Sequence, residues 1–452
     1  MAKICYTEAW IFDKIRMILL ESIRSGRSVT DKLEKVLLVG VELHEDDNFQ
    51  MAMTELASLA EACDKEPVGV ITQALDAVNK PFYIGPGKVR EVQEAAFELG
   101  AEEIIFDNTL SPLQIRNLQK EIGLPVEDRT SLILSIFRNR ARSKEAMLQV
   151  EVASLQYMLP RLAGLHDELG RQGGTTGGMS NRGAGEKKIE LDKRKLEHRL
   201  TELKRELKEV EKQRGTQRKK RTQSGIPRVA LVGYTNAGKS TLLNAMVEYS
   251  GQGEEKKVGE QDMLFATLDT TVRQIAPEGC HTMLLSDTVG FISRLPHQLV
   301  EAFHSTLEEA LEADLLIQVV DCSDEHHREH VKVTNETLKQ LGAGDIPMIY
   351  VYNKADKAKD APDKLPHVSG NHITMSAAER IGIEELLALI EEQLTAHYRE
   401  CDMVIPYRES ALVPYFQQQG SVKALAYEEN GTKLHLVCPV RDYQKYERYL
   451  AR

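Results

Sequence analysis

Apolar runs and helical seams divide the chain into four blocks. Between residues 34 and 140, β-rich runs fall at Val36–Val41, Val68–Ile71 and Glu103–Asp107. Helical patterns sit between and after them, at about 51–64, 88–99 and 111–122. This alternation predicts a small parallel sheet with covering helices. Gly85-Pro86-Gly87-Lys88 precedes the second helix. It reads as the turn that opens that helix, with an incomplete phosphate loop as the alternative. Residues 141–221 change in kind. Leu148, Val152, Leu155, Leu159 and Leu162 recur at steps of four and three, and so do Leu196, Leu200, Leu203, Leu207 and Val210. Two such seams predict an antiparallel helical, coiled-coil-like hairpin, or else two helices packing on separate neighbours. Eight glycines lie in the 22 residues between them, Gly164 to Gly185.

Strand patterns return at Arg228–Val232, Thr282–Leu285, Pro347–Tyr352 and His372–Met375, and a helical run at Ile383–Ala396 closes a block spanning 226–397. In the tail, 401–452, two strands (Val422–Tyr427 and Lys433–Val437) flank the turn Asn430-Gly431, as expected of a small packing or docking module. Residues 1–33 form an N-terminal extension, best read as an amphipathic or adaptor segment. The expected fold class is α/β and multidomain.

Composition sharpens this picture. With 452 residues, 42% hydrophobic and 28% charged, the chain has the length for several cores and an ordinary globular composition. Its six cysteines are scattered without a Cys-x-x-Cys pair, which argues against a zinc or disulfide framework and for a reducing compartment. No apolar run approaches the ~20 residues of a membrane span. A cytoplasmic location is expected, with peripheral membrane association left open. A formal charge of −11 gives no global affinity for nucleic acid, so any such contact is local. Residues 187–221 hold 15 Lys/Arg against 7 Asp/Glu. Arg138, Arg140, Arg142, Lys144, Arg161, Arg171 and Arg182 extend that basic character. Tyr157 is the lone aromatic there, so phosphate and shape contacts with structured RNA fit better than base stacking. A solvated helix face is the competing reading.

The chemistry concentrates in the third block. Gly233-Tyr234-Thr235-Asn236-Ala237-Gly238-Lys239-Ser240 joins a predicted strand to a helix that begins near Thr241. A turn of this kind aims backbone N–H groups and a helix N-terminus at one anion. Lys239 adds a charge for β- and γ-phosphates, and Ser240 a hydroxyl for Mg²⁺. Asp287-Thr288-Val289-Gly290 follows a second strand; Asp287 suits Mg²⁺ through water, and the Gly290 N–H suits a γ-phosphate. Asn353-Lys354-Ala355-Asp356 follows a third. Its Asp carboxylate accepts two hydrogen bonds from the N1–H and N2–H₂ edge of guanine, a pattern adenine lacks. Ser376-Ala377-Ala378 follows a fourth and offers N–H groups to guanine O6. Four weak strings in the required order resemble the GTP-binding signature of the small GTPase superfamily.

The chain also resembles the HflX-type GTPases, on stretches from about 36 to 400. The stretches that carry this are Asn139–Ser143, Leu148–Glu151, Pro160–Leu162, Asn181–Glu186, Asp192–Arg194, Leu264–Asp269, Gly290–Ile292, Leu295–Val300, Ala302-Phe303 and Ser305–Glu309. Ser180, Ala184 and Lys187 depart from the family's usual Gly, Pro and Thr in the glycine loop. The resemblance implies an α/β N-terminal domain with a helical hairpin, then the GTPase domain and a small C-terminal α+β domain. It implies a monomer that binds GTP and GDP, hydrolyses GTP and joins the large ribosomal subunit and its rRNA, in translation, ribosome splitting or rescue, or ribosome biogenesis. It extends the nucleotide site to Thr241, Phe265, Ala266, Thr267, Leu268 and Asp269 and makes Thr267 a Mg²⁺ ligand on a switch spanning about 255–271. Lys239, Thr267 and Gly290 are then the catalytic set. Asn236 matches a position that holds K⁺ in some related GTPases, although Asn is also a good turn former. Phe291 stands where Ras-like proteins carry a water-orienting Gln, so slow unassisted hydrolysis is expected. A competing class is an RNA-remodelling factor driven by ATP in the N-terminal domain; a non-catalytic GTP-binding scaffold is the other.

Overall fold

The computed structural model describes residues 33–43, 48–171, 191, 193–210, 212, 226–251, 264–265, 270–278, 280–294, 309–358, 364–396, 398–419 and 421–451. The expectations for 1–32, the glycine-rich 172–190, Ala266–Asp269 and 295–308 lie outside them. The fold divides into two compact units, Met1–Asn139 with Glu151–Thr201, and Arg140–Val150 with Glu202–Arg452.

In the first unit, β1 (Glu34–Leu43), β2 (Lys65–Leu75), β3 (Glu103–Phe106) and β4 (Val126–Asp128) form one parallel sheet in the order β2-β1-β3-β4. The helices are α1 (Phe49–Glu61), α2 (Pro86–Leu99), α3 (Pro112–Ile122) and α4 (Arg129–Arg140). β4 and α4 lack a clear sequence signal. The strand is three residues long, and Asp128 and Arg129 sit fully buried where periodicity expects apolar groups. Arg129 bridges the buried carboxylates Asp107, at 2.7 Å, and Glu55. Removing one member of a buried ion network strands the others in low dielectric. Arg129→Met should therefore lower stability by about 3–5 kcal/mol in urea unfolding of the full chain, and a change near zero would refute this account of the network.

Gly85 is the N-cap of α2 and Pro86 its first residue, as the turn reading expects. The Gly85 N–H donates to Gln73 Oε1 at 3.0 Å, and Lys88 pairs with Glu91 at 2.7 Å. This turn's groups are engaged within the fold.

Helix α5 (Lys144–Arg171) carries the first seam, and α6 (193–210) the second. Arg199 pairs with Glu151 at 3.1 Å, which sets the two helices side by side. Leu148, Val152, Leu155, Leu196 and Leu203 are buried. The first helix runs past Gly164 and Gly170, residues the sequence assigns to the loop. Each helical glycine costs only about 1 kcal/mol relative to alanine, so good helix formers around it prevail. Arg161 is less free for RNA than expected. It donates to Asp128 Oδ2 at 2.8 Å and to Leu110 O at 3.0 Å, and lies over the Tyr157 ring. Tyr157 also donates to Asp128, and its burial beside that carboxylate pushes the phenol pKa up.

The second unit is built on a seven-stranded sheet, β10-β11-β9-β8-β5-β7-β6. Its strands are β5 (Arg228–Gly233), β6 (Thr271–Ile275), β7 (Met283–Asp287), β8 (Leu315–Asp321), β9 (Met348–Asn353), β10 (His367–Ser369) and β11 (His372–Thr374). All pairings are parallel except those of the edge strands β6 and β10. Alternation along β5 feeds both faces. Val229 and Leu231 pack with α7 (Lys239–Tyr249) and α9 (Ile383–Ala396), while Ala230 and Val232 pack with Leu338 of α8 (His327–Leu341). The connections from β5 to β7 and from β7 to β8 lead to opposite sides of β5, which opens a crevice at the strands' carboxyl ends, where open α/β sheets bind ligands.

The tail adds an antiparallel sheet, β12-β14-β13, made of β12 (Tyr398–Ile405), β13 (Ser421–Glu428) and β14 (Gly431–Pro439), with α10 (Leu412–Gln419) and α11 (Val440–Lys445). The two expected strands are present. A third, β12, begins at Tyr398, ahead of the expected 401, and buries Met403 and Ile405.

Candidate functional site

Four strands end on, or within two residues of, a residue that the sequence singles out. β5 ends at Gly233, β7 at Asp287, β9 at Asn353, and β11 one residue before Met375. In the turn after β5, Gly233 has φ +141, and an added Cβ would lie 2.2 Å from Val319 O. Gly238 has φ +90, and an added Cβ would lie 2.3 Å from Asn353 Nδ2. Only glycine fits either position. Asn236, at φ +59, supplies the third left-handed residue, as a turn-forming Asn can. α7 then starts at Lys239, so its free N–H groups face the turn.

Asn353 ties three motifs together. Its Nδ2 donates to Ala237 O at 3.0 Å, and its Oδ1 accepts from the Ala377 N–H at 2.9 Å. Asp356 is exposed, and its Oδ1 accepts from Ser376 Oγ at 2.5 Å, which fixes the carboxylate's direction. Lys354, at φ +62, pairs with Asp321 at the end of β8 at 2.8 Å. Ala378 is exposed beside them.

At the opposite end, Ser240 Oγ donates to Asp287 Oδ2 at 2.6 Å, and Thr288 Oγ1 donates to Leu231 O at 2.7 Å. Two oxygen donors of this kind, one anionic, fit a hard divalent cation. Lys239 Nζ donates to Tyr234 O at 2.7 Å and to Gly233 O at 3.1 Å. Burial pushes its pKa down to about 8, aided by Lys354, while Asp287 pulls the other way. Among the described residues this buried ammonium is held by carbonyl oxygens near one carboxylate, which leaves it poised for a further anion. Val289 is buried, and the Gly290 α-carbon lies against the turn: an added Cβ would come within 2.9 Å of Lys239 Nζ.

Phe291 pairs through its backbone with the turn. Its N–H donates to Gly233 O at 3.1 Å, and its carbonyl accepts from the Thr235 N–H at 2.8 Å. The side chain is buried in the cluster with Ala230, Val232 and Leu316. Phe265 is also buried. Ala266, Thr267, Leu268 and Asp269 lie outside the described residues.

Sequence reasoning missed two supports. Tyr234 stacks on His330 of α8, with ring centroids 3.8 Å apart, and its hydroxyl accepts from the Ser293 N–H at 2.8 Å. Asp321, the partner of Lys354, ends a strand the sequence reading had not marked. The run Leu315–Val320 could have revealed β8; nothing local points to His330.

A parallel sheet whose central strand feeds a Gly-x4-Gly-Lys-Ser turn, with an Asp and an Asn-Lys-x-Asp at neighbouring strand ends, is the architecture of a P-loop GTPase. Three family descriptions match in order: "GTP-binding GTPase N-terminal" at 50–138, "GTP-binding GTPase Middle Region" at 140–221 and "50S ribosome-binding GTPase" at 228–354. A protein named GTPase HflX from Caldanaerobacter subterraneus subsp. tengcongensis is 41% identical over 416 residues, covering 91% of this chain and 93% of its own. The GTPase HflX of Akkermansia muciniphila is 43% identical over 438 residues (94% and 99%), and that of Escherichia coli K12 is 37% identical over 419 (92% and 96%). The crystal structure of a GTP-binding protein from Sulfolobus solfataricus in complex with GDP aligns at 24% identity with a TM-score of 0.41, covering 80% of this chain and 99% of that one. The chain belongs to the GTPase HflX family, and it binds and hydrolyses GTP.

Proposed function

We propose that the chain is a GTP-driven factor of the large ribosomal subunit, acting in translation through ribosome splitting, rescue or biogenesis. The observation that carries this reading is the match of residues 228–354 to a family described as a 50S ribosome-binding GTPase. The excess of Lys and Arg over 187–221 supports it, because a local basic surface in an acidic chain suits rRNA phosphates. The hairpin, including its glycine-rich connection, is the proposed rRNA contact. Location in the cytoplasm and a monomeric state belong to the same proposal. Among the described residues, no helix is long and apolar enough to cross a membrane.

In the GTP-binding pocket, Lys239 and the N-terminus of α7 hold the phosphates, and Asp356, Asn353 and the Ser376–Ala378 backbone hold guanine. Ser240, Thr267 and Asp287 would hold Mg²⁺, which offsets charge on the β- and γ-oxygens when bound. The exposed Asn236 is the proposed K⁺ contact. Thr267 and Gly290 sense the γ-phosphate, and its loss releases their segments, a familiar order–disorder switch. With Phe291 in the core, no side chain at that position reaches water, and hydrolysis by the isolated chain is slow. Co-sedimentation with purified large subunits tests the proposal. Chain loaded with a non-hydrolysable GTP analogue should pellet with subunits in clear excess over GDP-loaded chain. Equal pelleting, or none, would count against it.

A further inference from the structure

Thr235 occupies the second variable position of the phosphate-binding turn, with 6% of its surface exposed. Its hydroxyl is buried and has no hydrogen-bond partner among the described residues. Leaving a buried hydroxyl unpaired is unfavourable, and such a group in a native fold calls for an explanation. Its surroundings suggest one. A Cβ added at Gly290 would lie 2.7 Å from Thr235 Cα, 2.8 Å from Thr235 Cγ2 and 2.9 Å from Lys239 Nζ. The threonine side chain, the ammonium and the bare α-carbon of Gly290 therefore meet in one small volume. The Thr235 N–H is already committed to Phe291 O at 2.8 Å, which fixes the residue's backbone against Gly290.

The other groups there have separate tasks. Lys239 carries charge for phosphate oxygens, Ser240 and Asp287 are bonded to each other, and the Phe291 ring lies in the core. Among the described residues, the Thr235 hydroxyl is a neutral side-chain group beside Lys239 and Gly290 that can both donate and accept.

We propose that Thr235 Oγ1 is a catalytic residue of this GTPase, donating to a γ-phosphate oxygen and accepting a hydrogen bond from the attacking water. The inference rests on reading this crevice as the GTP site. The water oxygen forms the new bond to the γ-phosphorus, and the bond from that phosphorus to the β–γ bridging oxygen breaks. The water's proton passes to a phosphate oxygen, giving GDP and inorganic phosphate. Thr235 leaves the cycle unchanged, having oriented the nucleophile.

Single-turnover hydrolysis and binding of a non-hydrolysable GTP analogue, measured on the full-length chain, test the proposal. Thr235→Val keeps the shape and removes the hydroxyl; Thr235→Ser keeps the hydroxyl. Thr235→Val should slow hydrolysis by roughly 100-fold, in line with the loss of one transition-state hydrogen bond. It should weaken analogue binding by no more than about tenfold, through the one hydrogen bond lost to the γ-phosphate, and leave the melting temperature equal to the parent's or higher, since an unpaired buried hydroxyl is gone. Thr235→Ser should hydrolyse within about threefold of the parent. Parent-like hydrolysis by Thr235→Val, equal slowing in Thr235→Ser, or a loss of affinity in step with rate would each overturn the assignment. Failure of the parent chain to bind the analogue would instead overturn the reading of the crevice itself.

Discussion

Lys239→Ala should reduce GTP turnover by about 10³-fold or more and weaken triphosphate binding by about two orders of magnitude. The side chain is buried under the turn, with two carbonyl oxygens and Asp287 as its nearest polar company. A phosphate group in the cradle gives that cation the counter-charge it lacks. The variant should also lose a pH signature. In the nucleotide-free fold the Lys239 pKa is lowered to about 8 from its ordinary 10.5, chiefly by burial. Bound phosphate favours the charged form and raises it. Nucleotide uptake above about pH 8 should therefore draw in a proton, and affinity should fall up to tenfold per pH unit. The sign for folding is opposite. Between about 8 and 10.5 the unfolded chain holds this proton and the folded chain does not, so stability of the nucleotide-free protein rises with pH there. Calorimetry in buffers of different ionisation enthalpy reads the proton directly. A Lys239→Ala protein with near-parental turnover, or the same pH slope, would remove this lysine from the site.

Asp356→Asn should weaken GTP binding by roughly 10²–10⁴-fold, because two charge-assisted hydrogen bonds to the guanine edge are exchanged for one mismatched amide. The change should also redirect selectivity. Asn presents N–H₂ where the carboxylate accepted, which suits xanthine, whose C2 carries a carbonyl in place of the amino group. Ser376 holds the present carboxylate at 2.5 Å, and a hydroxyl can pair equally with an amide oxygen, so the loop should keep its shape. Competition with xanthosine triphosphate is the direct measurement. Unchanged GTP affinity, with xanthosine triphosphate still rejected, would place guanine elsewhere.

The nucleotide motifs were legible because each is short, contiguous and set at the end of an apolar run, so strand geometry delivers Gly233, Asp287, Asn353 and Ser376 to one edge. What knits them was not. Asn353 reaches Ala237 across 116 positions of sequence, and Tyr234 finds His330 on an otherwise amphipathic helix. No local pattern encodes such contacts. β4 is short and flanked by buried charge, so hydrophobic periodicity passes over it. The glycines at 164 and 170 read as loop on composition, yet the helix continues through them. Gly85 shows the reverse. Its loop-like sequence resembled a phosphate turn, and its N–H is engaged by Gln73.

Titration calorimetry of the full-length chain with GTP, GDP and ATP, in Mg²⁺ and at one salt concentration, addresses the central claim most directly. One site per chain should take up both guanine nucleotides, with ATP at least about 100-fold weaker. Equal uptake of ATP and GTP, or a second nucleotide site of comparable affinity, would contradict the account.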